Sequence, residues 1–298
     1  MRSNRRLRWA ALPAAAILIL ALSGCTQQQL QGWLPGSAGV TNHTSSVIGL
    51  WVTSWIVLLG VGIITWALII WAVVVYRRRK NQTGLPVQLR YNMPIEIFYT
   101  IVPLFHVLGF FFFTARDQAN IEQATKNPDA TITVYGKRWA WDFNYMDTSD
   151  PSKSVYYQGI QAQELGNGNV DESKLPVLYL PKGKTVKLVL KSRDVIHDFW
   201  VIDFLYKKDM IPGKTNYEYF TPEKEGTYAG KCAELCGEYH SLMLFNVKVV
   251  SPAAYQDYLV SLRKQGKVGD IGGNYNTNTN NPTNTTPVAA GADSTTSK

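Results

Sequence analysis

The stretch CAELCGEYHSLM, Cys232 to Met243, sets two cysteines four apart, a histidine four further on and a methionine three after that. In an exported chain, two close cysteines ordinarily form a disulfide. That reading of Cys232 and Cys236 gives His240 and Met243 no purpose. As metal donors all four have one. Thiolate and thioether are soft ligands, imidazole suits copper and zinc, and zinc rarely takes methionine, so Met243 favours copper. A single blue-copper ion needs one cysteine, two histidines and a weak methionine. The second cysteine points instead to two bridging thiolates holding two copper ions close together. Each ion then needs a terminal histidine, and the loop supplies only one.

The chain has four histidines. His43 precedes one long apolar run and His106 lies inside another. That leaves His197, in SRDVIHDFW at 192–200, directly after the strand-like KTVKLVL at 184–190. A loop there can meet the 232–243 loop at one end of a sandwich. Taken singly, His240 reads as a surface residue, Met243 as core and His197 as a satisfied polar group. Their joint spacing is far more specific than any one of them.

The rest of the chain says where such a domain sits. The formal net charge is +8, and eight basic residues account for all of it: Arg2, Arg5, Arg6 and Arg8, then Arg77, Arg78, Arg79 and Lys80. A nucleic-acid binder spreads its charge over a folded face, so nucleic acid is excluded as a partner. Basic clusters beside apolar runs read as membrane topology. The first cluster precedes a short apolar stretch ending in Leu22-Ser23-Gly24-Cys25, which resembles the lipobox of bacterial lipoproteins and makes Cys25 a lipidation site. Val47 to Tyr76 carries no charge and has Trp51, Trp55 and Trp71 toward its ends, as a span does. The basic cluster after it marks the cytoplasmic side. A second run, from Met93, holds Pro94, Glu96, Pro103 and His106 and returns the chain outward at Arg116.

Beyond Asp117 short β-branched and aromatic segments alternate with Pro and Gly turns, predicting an all-β sandwich. A short helix is expected at 252–264. The expected organisation is a cleaved signal at 1–24, an outer segment at 25–46, spans at 47–76 and 93–116 around a cytoplasmic loop at 77–92, a β domain at 117–265, and a disordered Asn/Thr-rich tail at 266–298.

The 232–243 motif resembles the binuclear CuA motif of cytochrome c oxidase subunit II, and the resemblance runs from residue 47 to about 250. The lipobox and tail point to a Gram-positive, actinobacterial member. The resemblance implies a two-helix transmembrane hairpin carrying a cupredoxin-like sandwich on the outer face of the bacterial plasma membrane. It implies bridging Cys232 and Cys236, terminal His197 and His240, and Met243 as a weak ligand. It also implies that the Glu234 carbonyl is the second weak ligand, its carboxylate reaching a magnesium or manganese ion at the boundary with subunit I. GKRWAWDFNY, at 136–145, resembles the family's aromatic strand, in which Trp139 is where electrons arrive from cytochrome c. EIFYTIVP, at 96–103, resembles the family's helix start, with Glu96 near the mouth of a proton path. An ionisable residue in a membrane segment is a functional candidate on its own account. Asp194 matches an acidic position with a supporting role.

The implied activity is that of an aa3-type cytochrome c oxidase, working with subunits I and III, with membrane lipids and with cytochrome c as donor. Arg193 and Asn144 stand where many members carry acids that dock a basic soluble cytochrome c. Their presence favours a membrane-fixed cytochrome c domain of a respiratory supercomplex. The rivals are a quinol oxidase subunit II, which lacks copper, a membrane copper-binding assembly factor, and a lipoprotein serving only as a docking module.

Overall fold

The computed structural model describes residue 24 and residues 26–80, 82–85, 88–162 and 169–271. Cys25, nearly all of the expected signal segment and residues 272–298 lie outside that set.

A short helix α1, Gln27–Leu30, opens the described chain and is closed at its start by a capping box from Thr26. Two long helices follow, α2 over Thr44–Val75 and α3 over Met93–Ile121. At about 1.5 Å per residue, their 32 and 29 residues exceed the roughly 30 Å of a hydrocarbon core. Their apolar side chains are exposed along almost the whole length, as expected where lipid is the solvent. The expected spans ended at Tyr76 and Arg116. The second helix instead runs on to Ile121, because the polar residues after Arg116 keep helical geometry without needing an apolar face.

Both outer helix ends rest on the sandwich. Just before α2, Thr41 bridges Pro222 and the His43 ring meets the Tyr219 carbonyl at 2.9 Å. Just after α3, Glu122 accepts hydrogen bonds from Tyr206 and Lys208. The basic residues 77–80 lie at the opposite end of the helix pair.

Ten strands build the outer domain: β1 Ala130–Lys137, β2 Ala140–Met146, β3 Val155–Gln158, β4 Val177–Pro181, β5 Val186–Ser192, β6 His197–Val201, β7 Tyr206–Met210, β8 Asn216–Phe220, β9 Gly226–Cys232 and β10 Leu244–Val250. They form two five-stranded sheets, in the orders β3-β2-β1-β5-β8 and β4-β10-β9-β6-β7. Alternation of side chains puts one face of each sheet into the core. β10 shows it cleanly, with Phe245, Val247 and Val249 buried between partly exposed neighbours. Trp141 from the first sheet meets Phe199 and Phe245 from the second, with ring centroids 5.6 and 5.1 Å away. This aromatic cluster lies directly under the metal-binding end. Helix α4, Pro252–Lys264, is capped by Ser251 and buries Tyr255 and Leu262.

Residues 266–271 differ from the expectation of a disordered tail starting at 266. Val268 bridges Val155, and Ile271 is 1% exposed. Few apolar side chains mark this segment in the sequence; backbone hydrogen bonds hold it.

Candidate metal centre

β9 and β10 form a hairpin whose connection is the 233–243 loop. Its base is closed by Cys232 N–H donating to the Met243 carbonyl at 3.1 Å. β6 lies antiparallel to β9, with Phe199 opposite Cys232. That register brings His197, two residues before Phe199, to the same end of the sheet as the loop. The sequence reading placed His197 in a loop; it is the first residue of β6. Ala233 N–H donates to the Asp198 carbonyl at 3.1 Å, tying the loop to this strand.

The predicted donors converge. Cys232 Sγ and Cys236 Sγ are 3.8 Å apart and both are free thiols. His197 Nδ1 is 3.8 Å from Cys232 Sγ, and His240 Nδ1 is 3.6 Å from Cys236 Sγ. Met243 Sδ lies 3.7 Å from Cys236 Sγ, and the Glu234 carbonyl lies 3.2 Å from Cys232 Sγ. Ligand atoms of His197, Cys232 and Cys236 all fall within 4.8 Å of one another, and all three residues are buried. His197 and Met243 are 0% exposed.

The electrostatics suit a cation. Close contact with the Cys236 sulfur holds the Cys232 pKa down against the opposing effect of burial. The same interaction, with burial, pushes Cys236 far up. A metal ion between the two sulfurs would favour the thiolate form of both. Burial disfavours a charged His197, but Asp194 and Cys232 outweigh it and leave its pKa raised. Asp194 is itself held low despite burial by His197 and by the backbone N–H groups of Arg138 and Val195. Two thiols, two imidazole nitrogens, a thioether and a carbonyl gathered at one end of the sandwich form a donor set that fits copper.

The remaining predicted residues are dispersed. Trp139, partly exposed, sets its ring edge-on to Tyr239 at 4.9 Å, and Tyr239 is the loop residue next to His240. Glu234 is on the exposed rim of the loop. Glu96 is at the far end of α3, where it accepts from the Asn92 N–H at 2.9 Å and caps the helix start. Cys25 lies outside the described residues.

Three neighbours escaped the sequence reading. Tyr239 carries Trp139 against the loop. Gly136 leaves room for His197, since a Cβ there would sit 2.9 Å from its ring. Asp198, whose carboxyl burial pushes up to about 6 against Lys207, fastens the loop through its carbonyl. An aromatic inside the motif was a usable signal for Tyr239; a glycine and a strand carbonyl carry none.

The fold and site define a β-sandwich domain carried by two helices long and apolar enough to span a membrane, with a cluster of soft donors consistent with copper. Residues 130–250 match the family model for the periplasmic domain of cytochrome c oxidase subunit II. The chain is 43% identical over 295 residues to a probable cytochrome c oxidase subunit 2 of Streptomyces avermitilis, covering 91% of each. It is 33% identical over 300 residues to the cytochrome c oxidase subunit 2 of Mycobacterium bovis, covering 87% of this chain and 82% of that one. The solved periplasmic domain of subunit II of cytochrome oxidase (CoxB) of Bradyrhizobium japonicum is 28% identical, with a TM-score of 0.39, covering 48% of this chain and 99% of that chain. The chain belongs to the cytochrome c oxidase subunit II family.

Proposed function

We propose that this chain is the electron-accepting subunit of an aa3-type cytochrome c oxidase, holding a binuclear CuA centre. The observation that carries this reading is the pair of sulfurs 3.8 Å apart, each faced by one imidazole Nδ1, at 3.8 Å for Cys232 and 3.6 Å for Cys236. Cys232, Cys236, His197, His240, Met243 and the Glu234 carbonyl would hold the copper, the two cysteines as thiolates, the histidines through Nδ1, and Met243 and the carbonyl as weaker donors. When bound, the copper pair supplies a one-electron couple between cytochrome c and the haem of subunit I, where oxygen is reduced to water and protons are pumped.

The protein's own part is to hold, orient and dry the site. β6 and β9 fix His197 and Cys232 on paired strands, so the donors keep their places on a change of charge. Asp194 fixes the tautomer of His197 by taking its Nε2 proton in a hydrogen bond, which commits Nδ1 to the metal. Trp141, Phe199 and Phe245 exclude water beneath the site, and such burial tunes a redox potential.

Trp139, packed on Tyr239, is the surface at which a donor's electron arrives. The donor is cytochrome c or a membrane-fixed cytochrome c domain. The carboxylate of Glu234, exposed at the rim, reaches magnesium or manganese at the subunit I boundary. Glu96 stands at the mouth of a proton path, and lipid on Cys25 adds a membrane anchor. The chain crosses the bacterial plasma membrane twice, with subunits I and III as neighbours. Convergence of every copper donor weighs against a quinol oxidase subunit II.

Rapid mixing of the purified oxidase with reduced cytochrome c tests the function. Copper absorbance is expected to bleach before haem reduction. Haem reduction with no copper step contradicts the reading.

A further inference from the structure

On β2, Trp141, Phe143 and Tyr145 face the core, so Asp142 and Asn144 must face the opposite way. Outward residues of a sandwich ordinarily meet water, yet both are 0% exposed. The chain's own residues 266–271 reach Asn144, while Lys137, Arg193 and the Gly159 N–H hold Asp142. After α4 the chain turns at Gly266 and Gly269, whose φ values of 74° and 101° suit glycine. It then runs beside β3. Tyr156 N–H donates to the Lys267 carbonyl at 3.2 Å, and Gly269 N–H donates to the Ser154 carbonyl at 2.8 Å. The segment ends on Ile271, which exchanges two hydrogen bonds with the Asn144 amide, both at 3.1 Å.

The Ile271 carbonyl also accepts from Arg193 Nη2 at 3.4 Å. Arg193 points inward, its side chain 2% exposed, with Nη1 3.1 Å from Asp142 and its guanidinium over the Tyr135 ring at 4.7 Å. Its backbone N–H donates to the Gly136 carbonyl at 3.0 Å. Gly136 is the residue packed against the His197 ring. Arg193 also immediately precedes Asp194, which holds His197 Nε2 at 2.7 Å. A continuous set of contacts therefore joins Ile271 to His197.

We propose that residues 266–271 are a clasp that positions the turn leading into His197 of the metal centre, with Asn144 and Arg193 as positioning residues. Asn144 grips the clasp by both backbone groups of Ile271. The clasp keeps Arg193 turned inward, against Asp142. Arg193 in turn fixes where the 193–197 turn leaves β5. The positioning claim is independent of which metal is bound; its link to copper retention rests on the function proposed above.

The test compares three membrane-embedded chains: the native one, one ended after Ile271, and one ended after Gln265. In the metal-free state, hydrogen exchange is read at the amides of residues 193–198 and at the β1–β5 core amides. Ending after Gln265 should speed exchange at 193–198 by roughly tenfold or more while the core stays protected, and ending after Ile271 should change neither. In the copper-loaded state the Gln265 chain should hold copper roughly tenfold less tightly. Exchange at 193–198 that is unaltered, or that rises only together with the core, overturns the proposal. If the shorter chain does not fold, Asn144→Leu, which keeps every residue of the clasp, is read against the same two outcomes. The metal-free readout keeps failure of this proposal separate from failure of the copper reading.

Discussion

Asp194 Oδ1 lies 2.7 Å from His197 Nε2, while His197 Nδ1 faces Cys232 Sγ at 3.8 Å. One nitrogen of the ring is committed to a carboxylate and the other to the metal site. The carboxylate is held in turn by Arg138 N–H and Val195 N–H, each at 2.7 Å. Asp194→Ala should weaken copper binding by roughly 10–100-fold, as loss of such a partner does at other metal sites. Competition against a chelator measures it. Native affinity in the variant would show that strand β6 alone orients the ring.

Asp142 is a buried anion between two buried cations. Lys137 Nζ is 2.8 Å from one oxygen and Arg193 Nη1 is 3.1 Å from the other, with all three side chains at most 2% exposed. Removing the anion strands both cations out of water. Asp142→Ala should therefore cost about 3–5 kcal/mol, seen as a lower denaturant midpoint of the apo chain. A change under about 1 kcal/mol would mean that water or a rearranged carboxylate replaces it.

Glu218, 5% exposed, has its pKa raised well above 4.5 by burial, with Lys208 opposing and Asp198 and Glu122 reinforcing the shift. Unfolded, the group loses its proton near 4.5. Folded, it keeps the proton to higher pH. Over that interval the native state binds more protons, so stability falls as pH rises. Glu218→Gln removes this effect. Its melting temperature should exceed that of the native chain at neutral pH and approach it near pH 4. An equal difference at both values would tie the effect to packing rather than to the proton.

Trp139 touches the metal loop through Tyr239, with ring centroids 4.9 Å apart, and also lies against Gly237. Trp139→Phe shortens the indole without touching a ligand. Electron delivery from cytochrome c should slow by roughly tenfold or more, equivalent to about 1.4 kcal/mol of barrier, with the copper spectrum unchanged. Stopped-flow reduction at several donor concentrations measures it. A native rate would move the point of electron arrival elsewhere on the domain.

Much of this was legible in the residues. The two helices announced themselves by apolar runs, and seven of the ten strands by β-branched or aromatic segments between turns. The short β3 was missed, and so were β6 and β7. HDFWV opens with two polar residues, and YKKDM has three charged residues in five. β6 is a strand because β7 and β9 pair with it on either side, and β7 because it pairs with β6, which are tertiary facts. The metal donors were legible because six chemically unusual residues fall in two short stretches. The Asn144–Ile271 bonds were not, since they join positions 127 residues apart and one partner acts only through its backbone. Arg193 and Asn144 stood out as departures from an acidic docking face. In the fold they are interior groups gripping the C-terminal segment.

The central claim is that Cys232, Cys236, His197, His240 and Met243 together hold two copper ions sharing one electron. Electron paramagnetic resonance of the copper-loaded chain tests it most directly. A seven-line hyperfine pattern, with two coppers per chain by metal analysis, is the predicted result. A four-line type 1 pattern, or failure to take up copper, would contradict it.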